Sequence, residues 1–101
     1  MMEFKATIKQ TKKDEFELEI LFFSTDVRIG LKASGPDAKT ELEKGLRATM
    51  AMVNTIGLPK YIELQDSGFT RETLGDGIMD KMLNEEMAKL PDPLPYTYIS
   101  W

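Results

Sequence analysis

Polar and apolar residues alternate along the first third of the chain, the period that a strand with one buried face requires. Over Met2–Ile8, Phe4, Ala6 and Ile8 share one face, while Glu3, Lys5, Thr7 and Lys9 share the other. Gln10–Asp14 is the expected turn. Over Glu15–Phe23 the alternation resumes, with Phe16, Leu18, Ile20 and Phe22 inward and Glu15, Glu17 and Glu19 outward. A third strand over Asp26–Ala33 turns Val27, Ile29, Leu31 and Ala33 inward and Arg28, Gly30 and Lys32 outward.

Charge then constrains register, because residues directly opposite one another share a face. Pairing Ile8 with Phe16 sets Lys9 against Glu15 and Lys5 against Glu19; pairing Phe22 with Val27 sets Lys32 against Glu17 and Gly30 beside Glu19. An acidic middle strand flanked by basic neighbours predicts an antiparallel meander in the order 1-2-3. The glutamate row is then a solvated, charge-paired face rather than a metal or catalytic cluster. Leu21 and Phe23 break this polar face and predict that the far end of the hairpin is covered.

The pattern changes to the helical period at Ser34–Leu58. Ala38, Leu42, Gly45, Leu46, Thr49, Met52, Val53 and Ile56 fall in one arc, and Lys39, Glu43, Lys44, Arg47 and Asn54 point away. Pro36 suits a first turn and Gly57 a helix end, and Glu43 and Arg47 are spaced for an i,i+4 pair. Gly45 inside the apolar arc predicts close approach to the sheet.

Pro59–Gln65 reads as a short fourth strand, Asp66–Gly68 as a turn, and Phe69–Leu74 as a single helical turn capped by Thr70 with Phe69 packed on Leu74. A second helix is expected from Asp76 to Leu90, carrying Ile78, Met79, Met82, Leu83, Met87 and Leu90 as its stripe and Glu85 paired with Lys89. Prolines at 91, 93 and 95 make a stiff spacer, after which Tyr96–Trp101 alternates as a last strand. The expected fold class is therefore α+β, one domain over residues 1–101: a three-stranded antiparallel meander followed by α-β-α-β, with two helices on one face of the sheet.

Composition narrows the chemistry. The 101 residues include no cysteine and no histidine, which removes disulfides, thiolate nucleophiles, the commonest general base and the commonest zinc ligands. A net charge of −4 disfavours nucleic acid and anionic membranes as partners. No apolar run is long enough to span a bilayer and the first residues lack a signal-peptide core, so the expectation is a soluble cytoplasmic protein.

Two phosphate- or metal-like stretches fail in detail. Ser34–Thr40 runs through Gly35 into Lys39-Thr40, but Ala38 precedes the lysine, Pro36 lacks an N–H and Asp37 repels phosphate. Gly75–Asp80 lacks the alternating acids and closing glutamate of an EF-hand loop. No metal or cofactor is expected. Carboxylates at Glu63, Asp66, Asp76 and Asp80, with Tyr61 or a lysine, are the only acid–base candidates, and nothing in the sequence sets two of them at a working distance.

Seven methionines and an aromatic tail point instead to recognition. The expected function is a non-catalytic protein-interaction module, an adaptor, inhibitor or small subunit of viral or mobile-element origin. It would bind another protein, or a second copy as a homo-oligomer, through Met79, Met82, Met87, Tyr96, Tyr98 and Trp101. The alternatives are a small-molecule binder with a pocket between sheet and second helix, anchored by Lys39 or Lys60, and a minimal carboxylate enzyme.

Overall fold

The computed structural model describes residues 3–101; the expected strand start at Met2 lies outside them. The protein is α+β, in the order β1 (Phe4–Lys12), β2 (Glu15–Phe22), β3 (Val27–Ser34), α1 (Ala38–Ile56), α2 (Leu58–Leu64), α3 (Arg71–Leu74), α4 (Asp76–Lys81), a π-helical turn (Met82–Glu86), α5 (Met87–Lys89) and β4 (Thr97–Ile99). Two compact units divide the chain: residues 1–46 with 92–101, and residues 47–91. Among the described residues no helix is long and apolar enough to cross a membrane.

The first unit is built on a sheet in the order β3-β2-β1-β4. The meander forms as the alternation requires, with Ala6, Ile8, Leu18, Ile20, Phe22 and Ile29 buried on its inner face. The second hairpin has the charge-matched register, Phe22 opposite Val27, Glu17 opposite Lys32 and Glu19 opposite Gly30.

The first hairpin does not. Ile8 stands opposite Leu18 rather than Phe16, Lys9 opposite Glu17 rather than Glu15, and Thr7 rather than Lys5 opposite Glu19. The cause is the turn. Lys13 and Asp14 alone reverse the chain, Asp14 at φ 66° supplying the left-handed residue, and β1 runs on to Lys12 with an irregularity between Gln10 and Lys12. A slip of two residues returns every side chain to the same face, so the inner set survives the change. It also aligns Lys9, Glu17 and Lys32 in one row. Leu21 lies half-buried between Lys5 and Arg28, while Phe23 in the second turn is exposed, not covered.

In this unit α1 contributes Ala38, Leu42 and Leu46, all buried. Gly45 has the predicted close approach: a Cβ built there would lie 3.3 Å from Leu31 Cδ1 on the inner face of β3.

The second unit begins in the same helix, with Thr49, Met50, Ala51 and Val53 buried. Gly57, at φ 85°, ends α1 as expected, but residues 58–64 form a helix and not a strand. Pro59 occupies its first turn, where a missing N–H is harmless, and Leu58, Tyr61 and Leu64 bury one side at a spacing of three, which no strand could do. Tyr61 stacks on Phe69 with ring centroids 4.9 Å apart. The single turn at 71–74 is capped as read: Thr70 Oγ1 accepts from the Thr73 amide, and Thr73 Oγ1 accepts from the Thr70 amide at 3.0 Å.

The helix starting at Asp76 passes through a π turn, which adds a residue to that turn, and the acid that meets Lys89 is Glu86, at 3.4 Å, rather than Glu85. Arg47, read as a solvent-facing partner of Glu43, is half-buried instead. Its Nη2 donates to the carbonyls of Met87 at 2.7 Å and Leu90 at 3.3 Å, where a cation suits the negative end of a helix.

Candidate functional site

The six residues singled out from the sequence divide between the units. Met79, Met82 and Met87 belong to the second. Met82 is buried there as a packing residue, and Met79 and Met87 are half-buried. Ile78 and Leu83 on the same helical segment are exposed, as is Ile62 on α2. Tyr96, Tyr98 and Trp101 belong to the first unit, where the last strand is positioned.

That strand pairs parallel with β1, setting Thr97 against Thr7, Tyr98 against Ile8 and Ile99 against Lys9. The parity of the ladder fixes its chemistry. Tyr98 shares the inner face with Ile8, and Tyr96, two residues earlier, follows it; Ile99 shares the outer face with Lys9, and Trp101 follows that side.

Two charged residues of α1 hold the inner pair. The Tyr96 hydroxyl donates to Glu43 Oε1, and Lys39 Nζ lies 4.5 Å above the centre of the Tyr98 ring. The Tyr98 hydroxyl donates to Gln10 on β1 at 3.2 Å. Lys39 and Glu43 are one helical turn apart, about 6 Å along the axis, and Tyr96 and Tyr98 are about 6.7 Å apart along a strand, so the two pairs match. Burial, the hydrogen bond to Glu43 and that carboxylate's charge together push the Tyr96 phenol up to about 12, so it stays a neutral donor. Leu94, just before the strand, is buried.

Sequence reasoning found the two tyrosines but placed Lys39 and Glu43 on a wet face. The matching i,i+4 and i,i+2 spacings are the signal that identifies them.

On the outer side the strand is bare. All three residues of β4 are exposed, and on the outer side Ile99 retains 45 % of its accessible surface and Trp101 73 %. β4 is one edge of the sheet, and no charged residue occurs from Tyr96 to Trp101. The opposite edge differs: β3 carries Arg28 and Lys32, the charges that discourage edge pairing. A shallow cleft of about 400 Å³ opens where the spacer meets β1, lined by Phe4, Lys5, Ala6, Pro95, Tyr96 and Thr97.

The acidic row on β2 is neutralised locally. Glu17 meets Lys32 at 3.6 Å, Glu19 meets Arg28 at 3.5 Å and Glu15 meets Lys12 at 4.0 Å. Among the described residues no three acidic side chains converge as a metal site. Of the acid–base candidates, Asp76 and Asp80 both meet Arg71, at 3.6 and 3.3 Å, and Glu63 meets Lys60 at 3.6 Å, all as exposed ion pairs. Comparisons with known protein families, with curated proteins and with solved structures return no match for this chain.

Proposed function

We propose that this is a non-catalytic, cytoplasmic protein-interaction module, and that it grips a protein partner through its last strand. The observation that carries the reading is the unguarded edge at β4, an exposed strand with Ile99 and Trp101 uncovered on one side and two tyrosines held on the other. An edge of this kind offers backbone hydrogen bonds to an added strand, and alternate side chains supply specificity. Tryptophan and tyrosine are also the residue types that dominate binding energy when an interface closes over them. The methionine-bearing helix of the second unit, with Ile78 and Leu83 exposed beside Met79 and Met87, is a second adaptable surface for the same role.

The test is affinity capture from the native host with wild-type protein and with an Ile99→Asp, Trp101→Ser double variant. Both altered side chains are exposed and outside the tyrosine contacts, so the variant should melt within a few degrees of wild type. Loss of captured protein by the variant supports the reading. Equal capture by both proteins places the interface elsewhere.

A further inference from the structure

We propose that the last strand is exchangeable between copies, so that residues 92–101 of one molecule take, on a second molecule, the place on β1 that they occupy on their own. This rests on the reading of β4 as a binding element and names its partner as a second copy of the chain.

The fit is displayed within the first unit itself. The receiving groups are Thr7–Lys9 of β1 with Gln10, Lys39 and Glu43; the docking groups are Leu94, Tyr96 and Thr97–Ile99. All receiving groups lie before residue 47 and all docking groups after residue 91, joined through the chain of the second unit. Receiver and ligand are therefore separate stretches, and nothing in their chemistry requires that they belong to one molecule. An exchanged strand meets the same carboxylate, lysine and ladder positions, which makes exchange of an identical element a low-cost route to a dimer.

The shortness of the ladder favours opening. The ladder has only three pairs, and all three β4 residues are exposed, the profile of a segment that detaches well below the free energy of global unfolding. The spacer ahead of it carries Pro91, Pro93 and Pro95, which stiffen the tether. That tether reaches the receiving strand within one molecule, so self-docking prevails in dilute protein and exchange gains as protein concentration rises. Once vacated, Thr7–Lys9 is an open edge that accepts any strand of matching pattern. The opposite edge, with Arg28 and Lys32, is guarded against the same event.

The chain has no cysteine, which permits a direct test. Thr7 and Thr97 are partners in the ladder, so cysteines at both positions fall within disulfide reach. Singly substituted Thr7→Cys and Thr97→Cys proteins are mixed, incubated at high concentration, diluted and oxidised, then resolved without reductant. Exchange predicts a mixed dimer several-fold more abundant than either like–like dimer, increasing with incubation concentration. The doubly substituted chain, oxidised when dilute, should close on itself as a monomer, which verifies the native ladder.

A mixed dimer at no more than the roughly twofold excess that random pairing of two equal populations gives, while the double variant closes internally, overturns the exchange. Failure of the double variant to close overturns it as well, since the receiving site is then absent. If exchange fails but the Ile99→Asp, Trp101→Ser variant still loses its captured partner, the interaction reading stands without self-exchange.

Discussion

Tyr96 allows the clamp between α1 and the last strand to be measured. Its phenol, ordinarily at 10.0, is pushed up to about 12, first by burial, then by the hydrogen bond to Glu43 and the charge of that carboxylate, with Tyr98 adding a smaller push. The neutral phenol is thus favoured in the folded protein more than in the unfolded chain. The associated stability is fully present below pH 10 and is lost as pH rises from 10 through about 12. A rise of that size corresponds to at most about 2.7 kcal/mol. Tyr96 is only half-buried, and solvent screening reduces this to about 1 kcal/mol, the ordinary net worth of one hydrogen bond.

Tyr96→Phe keeps the ring and removes the donor, so it should cost about 1 kcal/mol near neutral pH, a fall of roughly 4–8 °C in melting temperature for a domain of this size. Urea unfolding of wild type and variant, taken across the alkaline range, should show the two converging above pH 10, because the wild-type advantage disappears as its phenol ionises. Using the difference cancels losses common to both proteins. Tyr98→Phe serves as the control. Phenolate absorbance should resolve one tyrosine titrating above the others, and Glu43→Gln should move it down while leaving the share due to burial. If Tyr96→Phe unfolds with wild type at every pH and no tyrosine titrates late, the clamp does not exist in solution.

Gly45→Ala gains about 0.5–1 kcal/mol of helix propensity but sets a methyl 3.3 Å from Leu31 Cδ1, so its melting temperature should not rise; in a Leu31→Val background, which removes that atom, the same change should stabilise. Glu17→Lys should cost at most about 1 kcal/mol and Lys32→Glu should partly restore it, a coupling that a double-mutant cycle in urea reads directly and whose absence would reject the pairing. Arg47→Met should cost about 1.5–3 kcal/mol by denaturant unfolding, because the Met87 and Leu90 carbonyls lose a charged donor; Arg47→Lys, a single-point donor, should recover only part.

Local patterning made the meander legible. Period-two alternation assigned every buried residue of β1 to β3 to its correct face, and charge matching gave the second hairpin its register. The first hairpin register was illegible because it depends on turn length, and Lys13-Asp14 carries no glycine to announce a two-residue turn. Residues 58–64 misled for a related reason: Pro59 fits a strand edge or a helix start, and the spacing of Leu58, Tyr61 and Leu64 decides between them only when Leu58 is grouped with residues 59–64 rather than with α1. The partner of β4 could not be read, because parallel pairing joins residues about ninety positions apart and leaves no local trace. The tyrosines of the candidate site were legible by type and alternation, whereas Lys39 and Glu43 looked like ordinary solvated charges until the strand above them was in place.

Whether the last strand is a binding edge can be read from amide hydrogen exchange. Exchange is followed residue by residue in dilute protein and again in the associated state, formed with itself at high concentration or with the captured partner. Thr97–Trp101 should exchange rapidly when free and become protected on association. Protection confined to other surfaces, such as Ile62, Ile78 and Leu83, with Thr97–Trp101 unchanged, would contradict it.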